Sequence, residues 1–159
     1  MQRRSLVKLA STLLLVLGLL LTGSRPATAQ FTALTVTASP ATMTISTIPF
    51  AGQQPNSITD ASTSYRLTSL FAGQKKLTAQ LNAAMPAGVT LKATFIAAGG
   101  GSTSNGAITL DATARDMVVN IGNVFASTQT ITYVLSAIVT AGVIPLQSRT
   151  VTITLANFP

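Results

Sequence analysis

Between Thr128 and Leu155 the chain reads TQTITYVLSAIVTAGVIPLQSRTVTITL, and two parts of it alternate apolar and hydroxyl-bearing residues. Ile131, Tyr133, Leu135, Ala137 and Val139 fall on one side of an extended chain, with Thr130, Thr132, Val134 and Ser136 on the other. Val151, Ile153 and Leu155 alternate in the same way with Thr150, Thr152 and Thr154. Successive strand side chains point to opposite faces, so a period of two demands a strand with one face in a core and the other in water. Such strands need a second layer, and the pattern predicts an antiparallel sheet forming half of a sandwich. A short connection is expected between these two strands.

The same period recurs upstream. Phe31 to Ala38 and Thr42 to Ile48 alternate on either side of Ser39-Pro40, as two short edge strands or as one N-terminal extension. Ile48 to Ser62, with two prolines and a glycine, reads as a loop. Ser64 to Leu70 and Lys75 to Leu81 flank Phe71-Ala72-Gly73-Gln74, which has the length and the glycine of a hairpin loop. After the Ala84 to Gly88 turn, Val89, Leu91, Ala93 and Phe95 make a further core-facing set, and Ala107 to Leu110 is another strand. Asp111 to Asn123 reads as strand, turn, strand. No stretch holds helical periodicity. Seven to nine short strands, with turn signals about every eight to twelve residues, match an all-β, immunoglobulin-like Greek-key sandwich. A small outer-membrane barrel fits less well, because the chain has two tyrosines, six phenylalanines and no tryptophan for aromatic girdles.

The first 29 residues read as targeting rather than fold. Arg3, Arg4 and Lys8 form a basic start, Leu9 to Leu21 an apolar run, and Ala27-Thr28-Ala29 a small-x-small cleavage site. The apolar run is short for a membrane span and is broken by Ser11, Thr12 and Gly18. No cysteine follows it, which excludes a lipid anchor. Arg3-Arg4-Ser5-Leu6-Val7-Lys8 resembles a twin-arginine export signal, while the leucine-rich core suits general secretion, which ranks ahead. The expectation is a secreted, periplasmic or cell-surface protein with one domain over residues 30–159 and no transmembrane segment in the mature chain.

Within residues 30–159 six basic residues face Asp60, Asp111 and Asp116, a net charge of +3. Lys75-Lys76 is their one cluster, and aromatic residues do not interleave with them, which argues against a nucleic-acid surface. Cysteine, histidine and glutamate are absent, so thiol, zinc and histidine-dependent triad chemistry cannot be assembled. Ala97 to Gly106, AAGGGSTSNG, is followed by a strand rather than the helix that a phosphate loop needs, and reads as a flexible strand connection. Asp111 and Asp116 would cap a turn and pair with a surface cation rather than act as a glycosidase or calcium pair. Tyr65 and Tyr133 sit among core-facing residues and read as buried rather than sugar-stacking. The expectation is a protein without catalytic residues, cofactor or metal.

Thr130-Ile131-Thr132-Tyr133, the connection through Ala141-Gly142 and the closing Arg149-Thr150-Val151-Thr152-Ile153-Thr154-Leu155 resemble the C-terminal half of exported pilin-like sandwich subunits, similar to the spore-coat-U group. This chain lacks the cysteines common there. The resemblance implies an incomplete immunoglobulin-like domain, assembled by a periplasmic chaperone and an usher, in which an N-terminal extension of one subunit fills the groove of the next. It would make residues 30–48 an exchangeable strand, with Leu34, Val36, Ala38, Met43 and Ile45 as its assembly residues. Phe158 would be the aromatic used by the chaperone. The expected function is a structural or adhesive surface protein that associates with itself or a neighbour by strand addition. The alternative is an extracellular glycan-binding module presenting Ile48 to Ser62 and Ala97 to Gly106.

Overall fold

A computed structural model of the chain describes residues 29–38, 42–46 and 48–159. Residues 1–28 of the expected leader, residues 39–41 with the Ser39-Pro40 break, and Thr47 lie outside the described residues. Among the described residues nine strands follow one another: β1 Phe31–Thr37, β2 Ile58–Leu70, β3 Lys75–Leu81, β4 Val89–Phe95, β5 Thr103–Ser104, β6 Ala107–Thr109, β7 Arg115–Ile121, β8 Val124–Ala137 and β9 Val151–Asn157. The only helical element among the described residues is a 3-10 turn at Val139–Ala141. No helix among them is long and apolar enough to cross a membrane.

Two antiparallel sheets stack, one in the order β1-β2-β8-β4-β6 and the other β5-β7-β3-β9. The period-two residues face each other across the gap. Tyr65, Leu67, Leu91, Ala93, Phe95, Ile131 and Tyr133 of the larger sheet meet Leu77, Ala79, Leu81, Met117, Val118 and Ile121 of the smaller. Tyr65 stacks on Phe95 with ring centroids 5.8 Å apart, and its hydroxyl donates to the Ile96 carbonyl. Both tyrosines are buried, as the alternation predicts.

Several expectations need correction. The β2–β3 connection is not a hairpin, because the two strands lie in different sheets; β8 and β9 also lie in different sheets, and residues 138–150 make the connection between them longer than expected. From β2 onward every connection crosses between sheets, leaving β1–β2 as the sole pair among the described strands adjacent both in sequence and in a sheet. Phe71 at φ 55° and Gly73 at φ 69° turn the chain across the sandwich instead of back along β2. Ile58 to Ser62 belongs to β2 rather than to a loop, the register against β8 shifting between Asp60 and Thr63 so that a polar start still pairs. Residues 42–46 keep the alternation, with Met43 and Ile45 half-buried, but lie in no strand. Asp111 to Ala114 is a turn before β7, and the glycine-rich stretch contains β5.

Candidate functional site

Edges decide what a sandwich does with other chains, because an edge strand presents unpaired amides and carbonyls. Four edges exist among the described strands. β5 and β6 are two and three residues long, too short to template another strand, and Asn105-Gly106 carries the chain directly from one to the other. That link closes one flank. β1 and β9 are therefore the edges of the two sheets on the opposite flank, and each is seven residues long.

β1 runs antiparallel to β2 in unbroken register, from Phe31 opposite Leu70 to Thr37 opposite Ser64. Directly paired residues share a face, so Leu34 and Val36 lie on the core side with Leu67 and Tyr65. Only Leu34 is half-buried, packing on the core; the other six residues are exposed, Val36 by 44%. One partly buried leucine contributes less than the ~1.5–3 kcal/mol of a fully buried one. The backbone ladder, not a packed face, holds β1. Ala38, at φ 65°, ends it.

β9 pairs with β3 from Val151 opposite Leu81 to Asn157 opposite Lys75. The amide of Asn82 donates to Thr150 and the amide of Phe158 to Gln74, each at 3.0 Å. In an antiparallel ladder the bonded pairs alternate, so Thr152, Thr154 and Ala156 turn their backbone groups to β3. Val151, Ile153, Leu155 and Asn157 turn theirs to the free edge. Their apolar side chains are half-buried against the core.

Neither strand carries the usual blunting devices. β1, FTALTVT, and β9, VTITLAN, carry no charge and no proline, and both ladders run without a bulge. Lysine, proline and bulges are the devices that normally blunt such edges.

The five residues expected to form one assembly strand are divided. Leu34 and Val36 lie on β1, and Ala38 is the turn after it. Met43 and Ile45 line a cavity of about 610 Å³ at one end of the sandwich, where β4 begins and β8 ends. Gln54 accepts a hydrogen bond from the Val139 amide there, which ties the Ile48 to Ser62 region to the cavity end. Gly100 packs on Asn123 at the other end of β8. β8 is 14 residues long, so the two loops put forward for a glycan stand roughly 40 Å apart.

The carboxylates are occupied locally. Asp111 accepts from the Thr113 amide and pairs with Arg115, whose guanidinium holds that carboxyl below its ordinary range. Asp116 pairs with Lys76 at 3.0 Å, and Asp60 accepts from the amide and hydroxyl of Ser62. Among the described residues no cluster of three metal-binding side chains forms.

Sequence reasoning missed the β9 edge, since alternation does not say which strand lies outermost. It also missed a group of exposed aromatics. Phe31, Phe71 and Phe125 are 57%, 65% and 79% exposed. Phe31 opposes Leu70, Phe71 follows it, and Phe125 follows Val124, the partner of Ser69, so all three stand at one end of the larger sheet. No protein family, curated protein or solved structure matches the chain.

Proposed function

We propose that this is an exported structural or adhesive surface protein that assembles with copies of itself by β-strand addition, β1 of one copy laying itself along β9 of the next. One observation carries the proposal: two seven-residue edges on the same flank lack the charge, proline and bulges that keep edges apart. A contact between two different edges of the same molecule is heterologous, and repeated it builds a filament unless its rotation closes a ring. Leu34 and Val36 alternate as a donor strand should, and the weak packing of β1 makes its release cheap. A periplasmic chaperone covering the flank before assembly belongs to the same proposal, as does the relationship to pilin-like subunits. An immunoglobulin-like ancestry is supported by two antiparallel layers over one core.

The experiment is the mass of the protein in solution, by light scattering, with and without residues 31–46. Oligomers that grow with concentration and vanish on truncation are expected. A monomer in both forms would remove the proposal.

A second function has one observation in its favour. Phe31, Phe71 and Phe125 form an exposed aromatic end on which sugar rings could stack. Titration with extracellular polysaccharide fragments tests it, and it fails if F71A and F125A leave the binding unchanged.

A further inference from the structure

The cavity at the β4–β8 end has a composition that strand addition does not use. Its floor is the sandwich itself, Val89 and Leu135, and one wall is the segment carrying Met43 and Ile45. The other side is open: the chain from Gly142 to Arg149 borders it, with Val143 and Leu146 almost wholly in solvent. About 610 Å³ is the size of a small-molecule site, and the lining is apolar apart from a few groups, as such sites are.

Among the described residues Arg149 is the only ionisable one in that lining. Its guanidinium is fixed by three neutral acceptors: Nε donates to the Ala84 carbonyl at 3.0 Å, Nη1 to the Ser148 carbonyl at 2.9 Å and Nη2 to Gln147 Oε1 at 2.6 Å. None of these carries a countercharge. The three aspartates among the described residues are engaged elsewhere, with Ser62, Arg115 and Lys76. A guanidinium has five N–H donors, so one remains on Nη1 and one on Nη2, the pair with which arginine grips a carboxylate as a fork. A positioned cation without an anion, beside an apolar cavity, matches a molecule with one acidic head and an apolar body.

We infer that the cavity binds an amphipathic carboxylate of the fatty-acid class, its chain against Met43, Ile45, Val89 and Leu135 and its head on Arg149. The inference stands independently of self-assembly. It also links the two, because any exchange that carries away residues 31–46 removes Met43 and Ile45 from the wall.

Calorimetric titration of the purified protein with decanoate and with decanol, the neutral molecule of equal chain length, tests it. Decanoate is expected to bind saturably, one per chain, and at least tenfold more tightly than decanol, the margin of a charge-assisted hydrogen bond. R149Q should remove the margin and leave decanol binding in place, whereas R149K, which keeps the charge without the fork, should retain part of it. A137F, which places a ring in the cavity, should abolish binding of both, with its circular dichroism spectrum showing that the sandwich persists. Absence of saturable decanoate binding, equal affinity for the two molecules, or full binding by R149Q or A137F would each overturn the inference.

Discussion

The two tyrosines should make the fold sensitive to alkali. Tyr65 and Tyr133 are buried on the inner face of the larger sheet, and burial pushes both phenols from 10 up to about 12, with the Asp60 charge adding to the effect at Tyr133. The unfolded chain loses these protons near pH 10, whereas the folded protein keeps them until about pH 12. Between those values the native state binds more protons, so stability falls as pH rises. At about 1.4 kcal/mol per pH unit, each phenol contributes roughly 3 kcal/mol below pH 10 that is lost by pH 12. Two such losses approach the ~5–15 kcal/mol that holds a domain of this size. The chain should therefore lose much of its stability between pH 10 and 12. Urea denaturation at intervals from pH 8 to 12, read by far-ultraviolet circular dichroism, measures the fall. Phenolate absorbance reports the proton loss from these residues alone, since the chain has two tyrosines and no tryptophan. Y65F should roughly halve the fall, after a pH-independent loss of about 1–2 kcal/mol from the orphaned Ile96 carbonyl. Phenolate absorbance rising near pH 10 while the protein is still folded would refute the reasoning. So would a fall that Y65F and Y133F together leave unchanged.

Other substitutions probe the frame. Leu77 is fully buried between the sheets, and L77A should cost about 2–5 kcal/mol in urea unfolding, whereas L34A on β1 should cost less than half as much. G100A should destabilise by about 1–3 kcal/mol: a Cβ there would lie 2.7 Å from both the Asn123 carbonyl oxygen and Val124 Cγ2, at a φ of +61°. D111N removes an exposed ion pair and should leave the urea midpoint unmoved. Removing residues 31–46 should leave a folded sandwich, because the core lies between β2 and β9.

Periodicity made the strands legible, and with them the two layers and most of the core. The residues that alternate in β3, β4, β8 and β9 are those that meet across the sheets. It did not assign strands to sheets, because a period of two specifies which face is buried and not which neighbour pairs. Four residues at Phe71 to Gln74 suit a hairpin or a crossing equally well. What selects the crossing is the left-handed backbone of Phe71, a residue that gives no such signal in sequence. Thr42 to Ser46 alternates without a partner strand, so its pattern reflects packing over a cavity instead of a ladder. Leu34 could be read as an apolar strand residue, but its shallow burial depends on β1 lying outermost. The β9 edge was hidden for the same reason. The missing charge in VTITLAN was visible, but it gained meaning only once that strand stood at the rim of a sheet.

The most direct test of strand addition is residue-resolved amide hydrogen exchange on β9 in dilute and in concentrated, assembled protein. In the free protein Thr152, Thr154 and Ala156 should be protected by β3, while Val151, Ile153 and Leu155 exchange freely at the open edge. If β1 of a second copy adds there, the three odd-numbered amides become as protected as their neighbours on assembly. Assembly that leaves Ile153 and Leu155 exchanging freely, or a protein that stays monomeric at every concentration, would contradict the account.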